Sequence, residues 1–239
     1  MRSHHLGATR FQLSTQAQPS HSPASISMKK IVILISGRGS NMQALLAANL
    51  PCTIAAVISN RADAAGLNVA QAQGIATAVV EHKAFATREL FDAALAQTIA
   101  SYQPDFIILA GFMRILSAGF VQRFYGKLIN IHPSLLPAYA GMHTHQRALD
   151  DGVKIHGCTV HFVSANLDHG PIIIQAAIPV LQDDTAVTLS QRLLAEEHRI
   201  YAQAVRWLCL EQVTLNAQHK VDFCSIKQIG HALFSPGLE

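Results

Sequence analysis

The 239-residue sequence is poor in charge, in tryptophan and in cysteine. Charged residues make up 14% of the chain, which has only 1 Trp and 4 Cys, and the formal net charge is +3. Because the basic residues are few and scattered rather than striped, we expect no nucleic-acid partner. No apolar run approaches the roughly 18 residues that a membrane span requires, so we expect no membrane partner.

The small cysteine content excludes a disulfide scaffold. No two cysteines are close enough for a C-x-x-C metal or redox motif; they are Cys52, Cys158, Cys209 and Cys224. They are typical of small buried apolar residues in a reducing compartment, and we expect a cytoplasmic protein. With 50% hydrophobic residues, 14 Gly and 9 Pro, the sequence is neither disordered nor fibrous.

The amino-terminal segment differs from the rest of the chain. Met1–Ser27 is rich in Ser, Gln, His and Ala, lacks apolar periodicity and has no acidic residue. We predict either a disordered extension or a start codon placed too early, because Met28 opens the first strand directly. A single domain is expected over 28–212, followed by a terminal strand and tail over 213–239.

From Ile31 onward, short apolar runs alternate with helical patterns. The apolar runs predict strands over 31–35, 53–59, 76–80, 105–110 and 128–131. The stretches between them predict helices over 41–48, 64–73, 87–102 and 117–124. This alternation is typical of an α/β fold, a Rossmann-like, mostly parallel twisted sheet with helices on both faces. Later in the chain, an antiparallel carboxyl-terminal strand pair is expected over 156–163 and 172–180, and a last helix over 187–210.

A glycine-rich loop, Ser36-Gly-Arg-Gly-Ser-Asn41, follows the first strand. It lies at the carboxyl edge of the sheet, where α/β folds bind ligands. Its glycines allow the backbone close to an anion, and the next helix supplies free N–H groups, so the loop predicts a phosphate site. A purely structural turn is the alternative. Met42 replaces the third glycine of a dinucleotide fingerprint, and no Walker lysine follows.

A second group of polar residues follows the fifth strand. Asn130 and His132 are two residues apart, so a strand directs both to the same side, toward the crevice. A histidine beside an amide donor suits acid chemistry on a carbonyl group, although a strand-end histidine is also common as a structural residue. Asp168 lies in the turn of the last strand pair, where aspartate often only caps the turn. Beside His132 it would favour the charged imidazole.

Several histidines raise the question of a metal site. His143 and His145 are two residues apart, and further histidines lie nearby at 132, 156, 161 and 169. A metal hydrolase is therefore conceivable, but no H-E-x-x-H pair occurs and the spacing matches no common ligand set, so we expect no metal. A serine hydrolase is disfavoured because the sequence has no G-x-S-x-G elbow.

Five segments, in order across most of 30–208, resemble the family of phosphoribosylglycinamide formyltransferases. They are Ile35–Asn41, Ile58–Asp63, Leu109–Ser117, Asn130–Pro137 and Gly157–His161 through Asp168. The resemblance implies that the motif Asn-Ile-His-Pro-Ser-Leu-Leu-Pro, together with the later aspartate, is specific for the fold that uses 10-formyltetrahydrofolate. The glycine-rich loop restricts the resemblance to the glycinamide ribonucleotide branch and the related formyltetrahydrofolate hydrolases.

The resemblance implies a formyltransferase of de novo purine biosynthesis and one-carbon metabolism. The formyl group would pass from 10-formyltetrahydrofolate, the co-substrate, to the amine of 5-phosphoribosylglycinamide, giving the N-formyl product and tetrahydrofolate. The implied partners are these small molecules, with no metal, and the chain is expected as a monomer or homodimer. The implied catalytic residues are Asn130, His132 and Asp168.

Binding residues are implied by the same resemblance. The ribonucleotide would be held by Gly39, Ser40 and Asn41 at its phosphate and by Glu197 at its glycinamide end. The implied folate-binding residues are Arg88, Met113, Arg114, Ile115, Leu116, Asn130, Ser164, Ala165, Asn166, Leu167 and Asp168. Two positions depart from the family pattern, Ala140 where Pro or Lys is frequent and His169 where Gly is common. We expect His169 to influence Asp168 or the folate loop.

Two other functions stay open on the sequence alone. A formyltetrahydrofolate hydrolase shares the Asn, His and Asp but passes the formyl group to water. Its family carries an amino-terminal regulatory domain, whereas only 27 residues precede Met28, fewer than the roughly 50 that a domain needs. A non-catalytic folate- or phosphate-binding module on the same fold is the third possibility.

Overall fold

The computed structural model describes residues 28–226 together with Met1 and Ser235. The extension predicted over 1–27 lies outside the described residues except for Met1, as does most of the predicted tail beyond 226. In the first half of the chain the elements are β1 Lys29–Ile35, α1 Ser40–Ala47, β2 Cys52–Ser59, α2 Ala65–Ala72, β3 Thr77–Val79, α3 Arg88–Ser101, β4 Phe106–Leu109, α4 Ala118–Arg123 and β5 Leu128–His132. In the second half they are α5 Thr144–Asp150, β6 Ile155–Phe162, β7 Ile172–Pro179, α6 Ala186–Cys209, β8 Val213–Leu215 and β9 Val221–Phe223.

Seven of the strands form one sheet in the order β3-β2-β1-β4-β5-β6-β7. The first five pair in parallel, whereas β6 is antiparallel to both β5 and β7. The predicted α/β class, mostly parallel sheet and antiparallel pair are thereby confirmed. The strand order reverses between β1 and β4, and the carboxyl ends of these strands form the crevice where such sheets bind ligands.

The sheet is buried on both faces because its central strands are apolar at consecutive positions. Ile31–Ile35 of β1 are all 0% exposed. One face packs against α1, α2 and α6, and the other packs against α3 and α4. The buried hydroxyl of Tyr201 in α6 lies 2.9 Å from the main-chain oxygen of Leu109 and 3.1 Å from that of Ile129. These contacts fix α6 across β4 and β5.

Capping side chains fix the start of α3 and of α6. The Thr87 hydroxyl accepts the N–H of Leu90, so α3 begins where the sequence predicts. Thr185 and Thr188 form a reciprocal capping box at the start of α6. This box starts α6 at Ala186, one residue before its predicted start.

Two elements are absent from the sequence-based expectations, a short 3₁₀ turn at His82–Ala84 and helix α5. The single terminal strand expected beyond residue 212 is a two-stranded hairpin, β8–β9. Helix α5 escapes prediction because it has only two buried residues, Thr144 and Ala148, and follows a residue in the left-handed conformation, His143. The hairpin pairs antiparallel outside the main sheet.

The expectation that the cysteines are buried is wrong at two positions. Cys158 and Cys209 are buried, but Cys52 is half-buried and Cys224 is exposed. Cys224 directly follows β9, whose residues are largely open to solvent because that hairpin lies outside the main sheet. In the described part of the chain, no helix is both long and apolar enough to cross a membrane.

We predict that Tyr201→Phe lowers the free energy of unfolding by about 1–2 kcal/mol, because two buried carbonyls lose their hydroxyl partner. Urea unfolding followed by circular dichroism measures this change. The matched control is Tyr102→Phe on the half-buried end of α3, which is expected to change stability by less than about 0.5 kcal/mol. Equal effects of the two substitutions would contradict this account of α6.

Candidate active site

Two adjoining cavities open at the carboxyl ends of the central strands. The first has a volume of about 410 Å³ and is lined by the glycine-rich loop. The second has a volume of about 680 Å³ and lies over the end of β5. Five residues line both cavities and form their common wall, Ser40, Asn41, Gly111, Met113 and Arg114. Ligands in the two cavities would therefore lie side by side.

The glycine-rich loop presents the free end of α1 to the first cavity. Gly39, directly before the helix, has φ 70°, a left-handed conformation that disfavours a side chain. A Cβ there would also lie 3.3 Å from Cε of Met42. In the described structure no side chain caps α1, so its first N–H groups are available to an anion. This geometry suits the phosphate site that the sequence predicts.

Gly66 supports this loop and was not singled out from the sequence. Its N–H donates to the carbonyl of Gly37 at 3.1 Å. A Cβ at position 66 would lie 2.7 Å from Cδ1 of Ile35 and 3.2 Å from the Gly37 oxygen. Only glycine lets α2 approach the loop so closely. A glycine inside a helical pattern was the available signal.

His132 and Asp168 meet in the second cavity as a buried pair. Nδ1 of His132 lies 3.5 Å from Oδ2 of Asp168, and the two side chains are 9% and 8% exposed. Nε2 of His132 donates to the carbonyl of Tyr139 at 3.0 Å. Both ring nitrogens thus face oxygen atoms that can accept a hydrogen bond. Asp168 Oδ2 also accepts the N–H of Gly141 at 2.9 Å.

Asn130 is oriented by a neighbouring histidine. Its Nδ2 lies 3.3 Å from Nε2 of His161, whose Nδ1 donates to the carbonyl of Phe162 at 2.9 Å. Burial lowers the pKa of His161, so the ring is neutral and Nε2 is free to accept. One amide hydrogen of Asn130 is used in this way, and the second is left for a ligand.

Glu197 and Asn41 form a second polar pair in the cavity. Nδ2 of Asn41 donates to Oε2 of Glu197 at 2.8 Å. Burial raises the pKa of Glu197, while the Asn41 bond and the nearby His132 oppose that shift. Oδ1 of Asn41 is buried and has no partner among the described residues. The carboxylate and this free amide oxygen suit the hydroxyl or amine groups of a ligand.

Most residues expected to bind folate line the second cavity. The segment 113–116 and residues Ser164, Ala165, Leu167 and Asp168 all belong to its wall. Met113 is 76% exposed and Leu167 is 54% exposed, so apolar surface faces the cavity. Arg88, the exposed first residue of α3, and Asn166 do not belong to the wall.

The loop after β5 is held by buried polar contacts that the sequence did not indicate. Thr159 donates its hydroxyl to the carbonyl of Ser134 at 2.7 Å, and Gln175 donates to the carbonyl of Leu136 at 2.9 Å. The Ser134 hydroxyl donates to Ala138 at 2.7 Å. The bonded residues lie shortly before Tyr139 in the chain, so these bonds fix the position of the Tyr139 carbonyl, which contacts His132.

The remaining histidines do not assemble into a metal centre. Within the described ranges, no group of three or more His, Cys, Asp or Glu is arranged to hold a metal ion. His145 and His156 contact each other instead, with Nδ1 of the first 3.1 Å from Nε2 of the second. His169 is exposed, and its Nδ1 lies 2.7 Å from the carbonyl of Leu167.

We predict that acid weakens the fold through the His145–His156 contact. Burial lowers the pKa of His156 from 6.5 to about 4, and burial also lowers the pKa of His145. The folded chain thus favours neutral rings. The stability that the neutral rings of His145 and His156 give to the folded state is complete above the unfolded pKa of 6.5. It is lost as the pH falls toward about 4. Urea midpoints of the wild type measured from pH 7.5 to 4.5 are expected to fall.

The variant His156→Gln keeps polar atoms at this position but cannot become charged, so its urea midpoint should vary less with pH. The control His219→Gln changes a histidine on the surface hairpin and should retain the wild-type dependence. If His156→Gln and the wild type lose stability in parallel, the histidine contact does not cause the acid sensitivity.

Comparison with known proteins identifies the family of the chain. The family described as formyl transferase matches residues 29–205. The chain is 49% identical over 181 residues to phosphoribosylglycinamide formyltransferase of Escherichia coli strain K12, covering 74% of this chain and 85% of that protein. It is 44% identical over 203 residues to the human trifunctional purine biosynthetic protein adenosine-3, covering 83% of this chain and 20% of that longer protein.

Solved structures show the same architecture. Glycinamide ribonucleotide transformylase 1 from Symbiobacterium toebii superposes with a TM-score of 0.79 at 44% identity, covering 82% of this chain and 94% of that chain. A formyltetrahydrofolate deformylase from Pseudomonas syringae is more distant, at 27% identity and a TM-score of 0.75, covering 82% of this chain and 66% of that one. Because the family match spans most of the sequence and the phosphoribosylglycinamide formyltransferase of Escherichia coli shares 49% of the aligned residues, the chain belongs to the formyl transferase family, in the branch of the phosphoribosylglycinamide formyltransferases.

Proposed function

We propose that the chain transfers the formyl group of 10-formyltetrahydrofolate to the amine of 5-phosphoribosylglycinamide. The products are N-formyl-phosphoribosylglycinamide and tetrahydrofolate, and the reaction belongs to purine biosynthesis. The observation that carries the proposal is the meeting of Asn130, His132 and Asp168 in a cavity that adjoins the uncapped end of α1. Four free cysteines suit a reducing cytoplasm, which we propose as the location.

The two cavities fit the two substrates. The first N–H groups of α1, behind Gly39, Ser40 and Asn41, bind the phosphate. Glu197, bonded to Asn41, accepts from the glycinamide end of the ribonucleotide. The apolar wall around Met113 and Leu167 covers the folate, and the shared wall brings the amine next to the formyl carbon.

Catalysis begins when the lone pair of the amine attacks the formyl carbon. The formyl oxygen becomes a tetrahedral oxyanion, which accepts a hydrogen bond from Asn130 and is stabilised by the charged ring of His132. Nε2–H of His132 is engaged by the Tyr139 carbonyl, so Nδ1–H is the proton available for transfer. The bond to N10 then breaks, His132 acts as general acid toward the leaving nitrogen, and tetrahydrofolate departs.

Asp168 has two tasks in this scheme. Its carboxylate keeps His132 charged, and it orients a water that carries the excess proton away from the attacking amine. The left-handed backbone of Asp168, with φ 53°, and its bond from Gly141 hold the carboxylate in place. No step of this scheme needs a metal or a covalent enzyme intermediate.

The decisive experiment uses absorbance to measure the release of tetrahydrofolate from 10-formyltetrahydrofolate. It is run with and without glycinamide ribonucleotide, in the presence of chelator. Release that requires the ribonucleotide and withstands chelator supports the transferase. Release without the ribonucleotide would instead indicate a hydrolase. No release under either condition would indicate a binding module.

We predict that Asn130→Ala lowers kcat by about 10²–10³ because one oxyanion donor is lost. His132→Ala and Asp168→Ala are expected to lower it at least as much, since the proton donor or its counter-charge is removed. The control Asp183→Asn removes an exposed carboxylate elsewhere and should keep normal turnover. Near-normal kcat in any of the three site variants, with an intact circular dichroism spectrum, would contradict the assigned role.

We predict that Gly39→Ala raises KM for the ribonucleotide by about tenfold or more while KM for the folate changes little. The Cβ strains a left-handed residue and displaces the N–H groups that face the phosphate. The control Gly119→Ala in α4 places its Cβ where no atom lies within 4 Å, and Gly119 lines neither cavity, so a much smaller change is expected. If both variants alter KM for the ribonucleotide equally, the conformation of Gly39 is not the cause.

A further inference from the structure

Ser36 connects the glycine-rich loop, of which it is the first residue, to the 111–113 loop. The glycine-rich loop lines the first cavity, and Gly111 and Met113 belong to the wall that both cavities share. Its hydroxyl accepts the N–H of Met113 at 2.7 Å, and its own N–H donates to the carbonyl of Gly111 at 3.2 Å. Ser36 therefore holds the 111–113 loop at two points, one through its side chain and one through its backbone.

The same hydroxyl is fixed from the opposite side by Asn60. Ser36 donates to Oδ1 of Asn60 at 2.6 Å, and the two residues are 8% and 2% exposed. Asn60 directly follows β2 and is held in turn by His82, whose Nδ1 lies 3.1 Å from Nδ2 of Asn60 and 2.8 Å from its main-chain oxygen. The carboxyl ends of β1 and β2 and the 111–113 loop are thus linked by one chain of hydrogen bonds, whose central Ser36–Asn60 bond is buried.

This chain restricts how the two loops can move. If Ser36 shifts, the side-chain oxygen of Asn60 loses its donor, and water cannot easily replace that donor because Asn60 is only 2% exposed. The hydroxyl also cannot follow the 111–113 loop without leaving Asn60. A displacement at the glycine-rich loop is therefore transmitted to Met113 by bond geometry rather than by general flexibility.

We propose that Ser36 is a positioning residue that couples the affinities of the two substrates. The inference rests on the proposed function, in which the glycine-rich loop binds the ribonucleotide and the wall around Met113 binds the folate. A ribonucleotide that orders its own loop also sets the Met113 loop through Ser36 and Asn60. Folate then binds to a loop that is already ordered, and by linkage the folate strengthens ribonucleotide binding by the same factor.

The test measures this factor directly. Calorimetric titration of tetrahydrofolate into the full chain, under reducing conditions, gives its Kd with and without saturating glycinamide ribonucleotide, and no reaction occurs because no formyl group is present. We expect the ribonucleotide to tighten tetrahydrofolate binding by about fivefold or more in the wild type. In Ser36→Ala the ratio should fall close to one. In Ser36→Thr, which keeps a hydroxyl, it should stay within about twofold of the wild type.

Ser59→Ala is the matched control. Ser59 is 0% exposed and neighbours Asn60, but within the described residues its hydroxyl accepts only from the N–H of Arg61, at 3.1 Å, two residues further along the chain. The substitution Ser59→Ala removes a buried serine hydroxyl but leaves the hydrogen bonds to Met113 intact. The ratio of the two tetrahydrofolate Kd values should therefore be unchanged. Asn60→Ala provides a second variant of the link and should lower the ratio if Ser36→Ala proves unstable.

The inference is overturned if the wild-type ratio is one, if Ser36→Ala and Asn60→Ala keep the wild-type ratio, or if Ser59→Ala lowers it as much as they do. Formyl transfer is assayed on the same preparations. No transfer by the wild type would contradict the proposed function. Normal transfer together with an unaltered ratio in Ser36→Ala would remove the coupling and leave the function standing.

Discussion

The buried pairing of His132 with Asp168 is the interaction on which the site depends. Two charges almost removed from water are unfavourable unless other polar groups satisfy them. The carbonyl of Tyr139 accepts a hydrogen bond from Nε2 of His132, and the N–H of Gly141 donates one to the carboxylate of Asp168. One short stretch of backbone therefore serves both members of the pair. The bonds from Thr159 and Gln175 that fix this loop are as much a part of the site as the pair itself.

Strand direction explains why the aspartate must come from a long loop. Because β6 is antiparallel to β5, its last residue, Phe162, lies beside Ile129 rather than beside His132. The segment 163–171 has to fold back along β5 before Asp168 reaches the ring. Gly170 makes the return possible, since a Cβ there would overlap the carbonyl of Phe162. The sheet thus provides Asn130 and His132 directly, and the loop adds the counter-charge.

The parts of this fold that depend on periodicity could be predicted from the sequence. Continuous β-branched runs located the central strands within about two residues, and alternation placed Asn130 and His132 on one side. Helix α5 could not be found, because its short sequence lacks an apolar stripe and tertiary contacts hold it. The contributions of Tyr139 and Gly141 could not be found either, since they are made by main-chain atoms that every residue type carries. The meeting of Asp168 with His132 depends on a loop path that no local pattern encodes.

The loop after β5 contacts His132 and Asp168 through main-chain atoms, so these contacts do not depend on the side chains of the loop. Tyr139 contributes its carbonyl, and Ala140 contributes only its own carbonyl, which accepts from Arg147 at 2.7 Å. The side chain at position 140 has no task in these bonds, which explains how alanine can stand where the family often has proline or lysine. Position 141 has no such freedom, because its φ of 83° favours glycine. Backbone shape therefore restricts the residue type at position 141, whereas the hydrogen bonds of the site place no demand on the side chain at position 140.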